Sequence, residues 1–194
     1  MTETRSGFAF RSGNVALRVF EPGDAPALLA YLNSPSLAGR RYLPDGFPDC
    51  APLSMRQVEA VIEQWQKENE SWTLAATDAA SGSLVGYARA DWEWDPHCPG
   101  ACVVISPDHQ QRGFGSAALS VALTYLFEET PAHVVSGWMS SWNESAIALA
   151  RRAGFTEAGR RPRAGVHAGA FYSEVAFDLL RMEWTRHKEV RRGA

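Results

Sequence analysis

The stretch from Val103 to Phe127 constrains this chain more than any other. Val103-Val104-Ile105 is a β-branched run suited to a buried strand. Pro107 has no N–H for a sheet ladder, so the strand should end there. Gly113 and Gly115 permit positive φ and leave no Cβ in the path of a ligand. Ala117, Ala118, Val121, Ala122, Tyr125 and Leu126 then recur at helical spacing. A strand that turns through glycines into a helix makes an anion site. The first helical N–H groups lack intrahelical acceptors, and the helix dipole adds partial positive charge. Arg112 supplies a full charge beside them, so phosphate or pyrophosphate is the natural guest. A tight strand–helix turn with no ligand has the same spacing.

Two phosphate motifs fail here. A Walker loop needs Lys and then Ser or Thr after its last glycine, whereas Ser116-Ala117 follows Gly115. The dinucleotide fingerprint would put Ala118 at its third glycine, a tolerated change, but no early βαβ unit starts the chain. Gln110-x-x-Gly113-x-Gly115 does fit the pattern Gln/Arg-x-x-Gly-x-Gly/Ala, and so resembles the coenzyme A pyrophosphate loop of the GNAT-type N-acetyltransferase superfamily. The resemblance implies that the backbone N–H groups of Gln110, Gln111, Arg112, Gly113, Phe114, Gly115 and Ser116 hold the pyrophosphate. It also implies that the strand around Val103 and Ile105 bonds the pantetheine amides.

The 194 residues, 45% of them hydrophobic and 11% aromatic, suffice for one domain with a substantial core. A net charge of −3 gives no basic field to draw in nucleic acid or anionic lipid. No apolar run has the length of a membrane helix, and the first residues lack a signal peptide's apolar region. Three cysteines cannot form a full disulfide set. His97, Cys98 and Cys102 lie close in sequence, but no second ligand pair follows, so ordinary thiols and no metal are expected. The expected setting is the reducing cytoplasm.

Residues 1–13 are polar and rich in Gly and Ser, and read as a flexible arm. Val15, Leu17 and Val19 alternate as a strand. Asp24 precedes a short helix bearing Leu28, Leu29, Tyr31 and Leu32, and is placed to cap it. Ser54 and Gln57 form a capping box for the next helix, with Met55, Val58, Ile62 and Trp65 on one face. Strands are expected over 72–77, 84–94 and 101–106, then the cofactor helix, closed by Pro131. A strand over 133–139 should lie parallel to Val103–Ile105, as a right-handed crossover requires. A helix from Asn143 to Ala153 ends on Gly154, and 155–160 with 171–180 make an antiparallel pair. Residues 185–194 read as a basic tail.

This order is similar to the GNAT fold. The resemblance implies an α/β (α+β) domain over residues 14–184: a mixed, mostly antiparallel sheet of about seven strands, splayed between the fourth and fifth, with about four helices. Asn143-x-x-Ala146 followed by Gly154-Phe155 is similar to a second family motif. The ending Leu179-Leu180-Arg181-Met182-Glu183-Trp184 resembles the ribosomal-protein-alanine N-acetyltransferase-like branch.

The resemblance implies an acyltransferase with acetyl-CoA as co-substrate and an amine acceptor, either a peptide N-terminus or a small cationic amine. The chain would act as a monomer or homodimer, with neither nucleic acid nor membrane as partner. The amide of Val104 or Ile105 would stabilise the oxyanion. Asn143 matches a cofactor-contacting residue, and it is equally placed to be a plain helix N-cap. The family's thiolate-protonating tyrosine is replaced by Ala150, leaving water, Tyr172 or no acid at all. Asp91, Glu93 and Asp95 alternate with Trp92 and Trp94. Glu93 is the candidate base, set against a merely solvated strand face. Arg40, Arg41, Tyr42 and Trp142 are candidates for the acceptor side. Two other readings stay open: a non-catalytic acyl-CoA-binding domain on the same fold, and a binder of another nucleotide phosphate.

Overall fold

The computed structural model describes residues 9–37, 41, 43–44, 46–47, 51–92 and 95–193. Eight strands form a mixed sheet: β1 (Ala9–Ser12), β2 (Val15–Arg18), β3 (Ser71–Asp78), β4 (Leu84–Asp91), β5 (Gly100–Ile105), β6 (Val134–Ser140), β7 (Thr156–His167) and β8 (Ala170–Leu180). Their order is β1-β2-β3-β4-β5-β6-β8-β7. Five helices accompany them: α1 (Ala25–Leu32), α2 (Met55–Lys67), α3 (Phe114–Glu129), α4 (Glu144–Ala153) and α5 (Arg181–Gly193). The fold class is the one expected. The extra strand is β1, which lies within the stretch read as a loose arm and pairs antiparallel with β2. The extra helix is α5, which includes most of the stretch read as a tail.

The chain divides into two compact units, Met1–Asp91 with Cys102–Ala122, and Trp92–Ala101 with Leu123–Ala194. In the first unit, strand alternation sends neighbouring side chains to opposite faces, with one bulge at Val85 where the β3–β4 register shifts. Ala75, Tyr87 and Val104 join Leu28, Leu32, Val58, Val61 and Trp65 of α1 and α2. Ala76, Val85, Ala88 and Ile105 join Phe114, Ala118, Val121 and Ala122 of α3. Both faces of the sheet are therefore buried, which explains the near-continuous apolar runs of β4 and β5.

Local signals place the helices. Ser54 Oγ accepts from the Gln57 N–H at 3.4 Å, and Gln57 Oε1 accepts from the Ser54 N–H at 2.9 Å, so the expected capping box starts α2. Met55, expected on the buried face of α2, is exposed. Asp24 does not cap α1. Its carboxylate instead holds the Arg18 guanidinium with two bonds of 2.7 and 2.8 Å and accepts the Glu21 N–H at 2.8 Å. A bidentate charged pair binds a buried carboxylate more strongly than a single helical N–H does.

In the second unit, β6 pairs antiparallel with β8 through seven register pairs, from Val134↔Leu180 to Ser140↔Glu174. The pair Gly100↔Ser136 is parallel, as the crossover rule requires. Arg181 closes the end of α3 by donating to the carbonyls of Phe127, Thr130 and Ala132, a cation placed where the helix dipole favours one. No helix among the described residues is long and apolar enough to cross a membrane.

Candidate cofactor site

β5 ends in a turn built to expose N–H groups. The Ser106 N–H donates to the Val85 carbonyl at 2.9 Å, the last tie to β4. Pro107–His109 is a 3₁₀ turn, with the His109 N–H on the Ser106 carbonyl at 2.9 Å and the Gln110 N–H on Pro107 at 3.3 Å. The backbone then passes through positive φ twice, at Gln111 (60°) and Gly113 (83°). Sequence had pointed to Gly113 and Gly115, but Gly115 lies inside the first turn of α3 and the second left-handed position is Gln111. The first helical bond runs from the Ala117 N–H to the Gly113 carbonyl at 3.0 Å.

From Gln111 to Ser116, six consecutive N–H groups donate to no carbonyl or side chain among the described residues. They converge on the positive end of a 16-residue helix. The expected loop residues Gln111, Arg112, Gly113, Phe114, Gly115 and Ser116 are thus together at an anion-seeking surface. Gln110 differs from them. Its N–H is used within the turn, and its side chain donates to the Ile105 carbonyl at 3.0 Å, tying the loop to the end of β5. Phe114 is buried and packs its ring edge against His109, with centroids 6.0 Å apart, so the helix start is anchored in the core.

Sequence reading missed two supports. Gly86 of β4 lies so close to β5 that a Cβ there would sit 2.1 Å from the Val104 carbonyl oxygen. A lone glycine inside a strand signals such an approach. Because the Val104 carbonyl faces β4, strand alternation turns the backbone of Val103 and Ile105 to the opposite edge. Of the two amides considered for the oxyanion, that of Ile105 is the one on this edge. The second support is Asn14, whose side chain donates to the Arg112 carbonyl at 3.2 Å from 98 residues away. No local pattern signals a contact of that sequence separation.

Other expected site residues have different surroundings. Glu93 and Trp94 lie outside the described residues, as do Arg40 and Tyr42. Arg41 does not line an open acceptor surface. It is buried, with its guanidinium on the carbonyls of Leu32 and Ala51, both at 3.0 Å. Asp91 has its pKa raised, first by burial, against the pull of Arg89 and with a contribution from Glu68. Arg89 bonds Glu68 at 2.5 Å and Thr73 Oγ1 at 3.1 Å. Asp95 is exposed, and the His97 N–H at 2.7 Å holds its pKa below the usual range.

In the second unit, Asn143 is the N-cap of α4. Its Oδ1 accepts from the Ala146 N–H at 3.4 Å and from Ser145 Oγ at 3.0 Å. Its Nδ2 donates to nothing among the described residues, so capping leaves one end of the amide for another partner. Trp142 stacks on His167 with centroids 4.0 Å apart and meets Tyr172 edge-on at 6.4 Å. Tyr172 lies across its strand partner Gly165. Burial pushes the Cys102 thiol up to about 12, which leaves it unreactive at neutral pH. Cys98 Sγ lies 3.4 Å from Ser136 Oγ, which donates to Asp178 at 2.7 Å. Among the described residues no group of three His, Cys, Asp or Glu is arranged to hold a metal ion.

Residues 14–156 match the model of an acetyltransferase (GNAT) domain, well over half of the chain. Among solved structures, a GNAT-family acetyltransferase from Bacillus anthracis superimposes with TM-score 0.77 at 17% identity, covering 91% of this chain and 100% of that one. Mutant forms of the spermidine/spermine N-acetyltransferase SpeG from Vibrio cholerae give 0.73 at 20% identity, over 91% and 99%. A proposed ribosomal-protein-serine acetyltransferase from Vibrio cholerae gives 0.72 at 18% identity, over 89% and 97%. At these identities the likeness is one of fold.

Proposed function

The chain belongs to the GNAT acetyltransferase family, and from that premise we propose that it transfers the acetyl group of acetyl-CoA to a primary amine. The observation that carries the reading is the run of six undonated N–H groups from Gln111 to Ser116 at the head of α3. They suit the coenzyme's diphosphate, with the Arg112 side chain adding charge at the rim. The backbone edge of Val103 and Ile105 lies next in the chain and suits the pantetheine amides, and the family motif makes Asn143 a proposed further contact to the coenzyme. The residues present fit the group.

In the proposed reaction the amine nitrogen attacks the thioester carbonyl carbon. The carbon–sulfur bond breaks, and its electron pair leaves on sulfur as the thiolate. The proton lost from nitrogen goes to a carboxylate, directly or through water. Glu93 is the proposed acceptor of that proton, from its place in the sequence Asp91-Trp92-Glu93-Trp94-Asp95. The Ile105 N–H is the proposed oxyanion donor. The three carboxylates of this short sequence favour a cationic acceptor, a peptide N-terminus or a small polyamine, and the SpeG likeness is consistent with the latter. The acetyltransferase domain is proposed to span residues 14–184, in the cytoplasm.

The test is a thiol-release assay with acetyl-CoA over a panel of peptides, polyamines and other amines. Turnover on any amine supports the reading. A second reading, a non-catalytic acyl-CoA-binding domain, is favoured by the buried Ala150 at the family's tyrosine position. Coenzyme binding without turnover on any acceptor would select it. Glu93→Gln is expected to slow turnover most at the low end of the pH range, where the amine is most protonated. An unaltered pH–rate profile would remove Glu93 as the base.

A further inference from the structure

Gly13 and Asn14 form the two-residue loop between β1 and β2, closed by the pair Ser12↔Val15. Gly13 takes a φ of 56° at the first central position, where such hairpin loops favour glycine. The Asn14 carbonyl accepts the Ala79 N–H at 2.9 Å, so the backbone of this loop is fixed against the β3–β4 turn. From that fixed point the side chain reaches the cofactor loop, and Nδ2 donates to the Arg112 carbonyl at 3.2 Å.

A peptide group is planar and trans, so its C=O and N–H point in opposite directions. Holding the Arg112 oxygen on Asn14 therefore aims the Gly113 N–H the other way. The Ala117 N–H holds the carbonyl of Gly113 at 3.0 Å, but that bond lies on the following peptide, and little else fixes the Arg112–Gly113 peptide. Gly113 has no side chain, its φ is 83°, and the nearest atom to where a Cβ would lie is Asn14 Nδ2 itself, at 4.0 Å. A glycine peptide without such a tie is free to rotate, and an anion site made of N–H groups loses affinity when one of them turns away.

We infer that Asn14 is a positioning residue for the diphosphate: it sets the Arg112–Gly113 peptide plane so that the Gly113 N–H faces the anion. The inference rests on the coenzyme A reading of the loop. Asn14 itself touches no phosphate in this scheme.

Asn14→Asp separates this role from hairpin stability. Asp suits the same turn position, but its carboxylate donates nothing and repels the Arg112 oxygen. Asn14→Ala is the uncharged companion. Titration calorimetry with coenzyme A is expected to show binding weakened about tenfold for Asn14→Asp and about threefold for Asn14→Ala, the scale of one lost hydrogen bond. Melting temperatures should stay close to that of the wild type. In amide NMR the Gly113 resonance, shifted by coenzyme A in the wild type, should move less in both variants, while that of Ser116 moves as before. Wild-type-like affinity in Asn14→Asp, or equal attenuation at Gly113 and Ser116, overturns the inference alone. A wild-type protein that binds no coenzyme A overturns the coenzyme reading and the inference with it.

Discussion

The heads of α3 and α4 solve the same problem in opposite ways. Each helix begins with N–H groups that have no partner one turn back. At α4 the fold supplies the partners: Asn143 Oδ1 takes the Ala146 N–H, and Ser145 fixes the Asn143 oxygen. At α2, Ser54 and Gln57 do the same reciprocally. At α3 no side chain among the described residues takes any N–H from Gln111 to Ser116. The protein instead ties down the other atoms of that loop, with Gln110 on Ile105 and Asn14 on Arg112. A helix start that is held by its carbonyls and left open at its N–H groups is suited to an outside anion, the role proposed for it.

The largest effect expected from this contrast is at Gly115. Gly115→Glu places a carboxylate in the first turn of α3, where it both fills the anion's place and serves as a cap. Coenzyme A affinity should fall by roughly a hundredfold or more, while the melting temperature holds or rises, because acidic residues stabilise helix N-termini. Calorimetry and thermal denaturation check both halves, and unchanged affinity would end the loop assignment.

Next in size is Asn143→Ala at α4. Loss of the cap should cost about 1 kcal/mol of stability, read from denaturant unfolding, with at most a few-fold loss of coenzyme affinity through Nδ2. A hundredfold loss would make Asn143 a principal ligand and erase the contrast between the two helices. Ser54→Ala at α2 is the control, with a stability cost of about 1 kcal/mol and no change in coenzyme binding.

The smallest effect concerns Asp91, away from either helix. Its folded pKa is raised by burial, so the folded state favours the protonated form. Its contribution to stability is full below the unfolded pKa and is lost as pH rises through the folded value. Asp91→Asn should therefore raise the melting temperature modestly at pH 7 and not at all at pH 3. Arg89 keeps Glu68 and Thr73 as partners in that variant. An increase at both pH values would point to a cause other than the carboxyl's charge.

Much of this arrangement was legible in the sequence because its causes are local. The Ser54/Gln57 box, the Asn143 start and Gly154 end of α4, and the strand-to-helix turn after Ile105 each depend on residues within one or two turns of each other. What was illegible depends on distant partners. Asp24 reads as a cap until Arg18 is folded beside it. Arg41 reads as a surface cation until the carbonyls of Leu32 and Ala51 are seen around it. Ala9–Ser12 is only four residues long and lies in a polar, Gly/Ser-rich stretch, and its pairing with β2 is what makes it a strand. The positive φ of Gln111 has no sequence mark, because glutamine shows no preference for that region.

The N–H groups from Gln111 to Ser116 are proposed to grip a diphosphate, and backbone amide resonances followed as coenzyme A is added to the ¹⁵N-labelled wild-type protein read that grip residue by residue. The largest shifts are expected at Gln111 to Ser116, with the amides at the head of α4 moving less. Saturable binding that leaves those six resonances in place, with the main shifts elsewhere in the chain, would contradict the proposed grip.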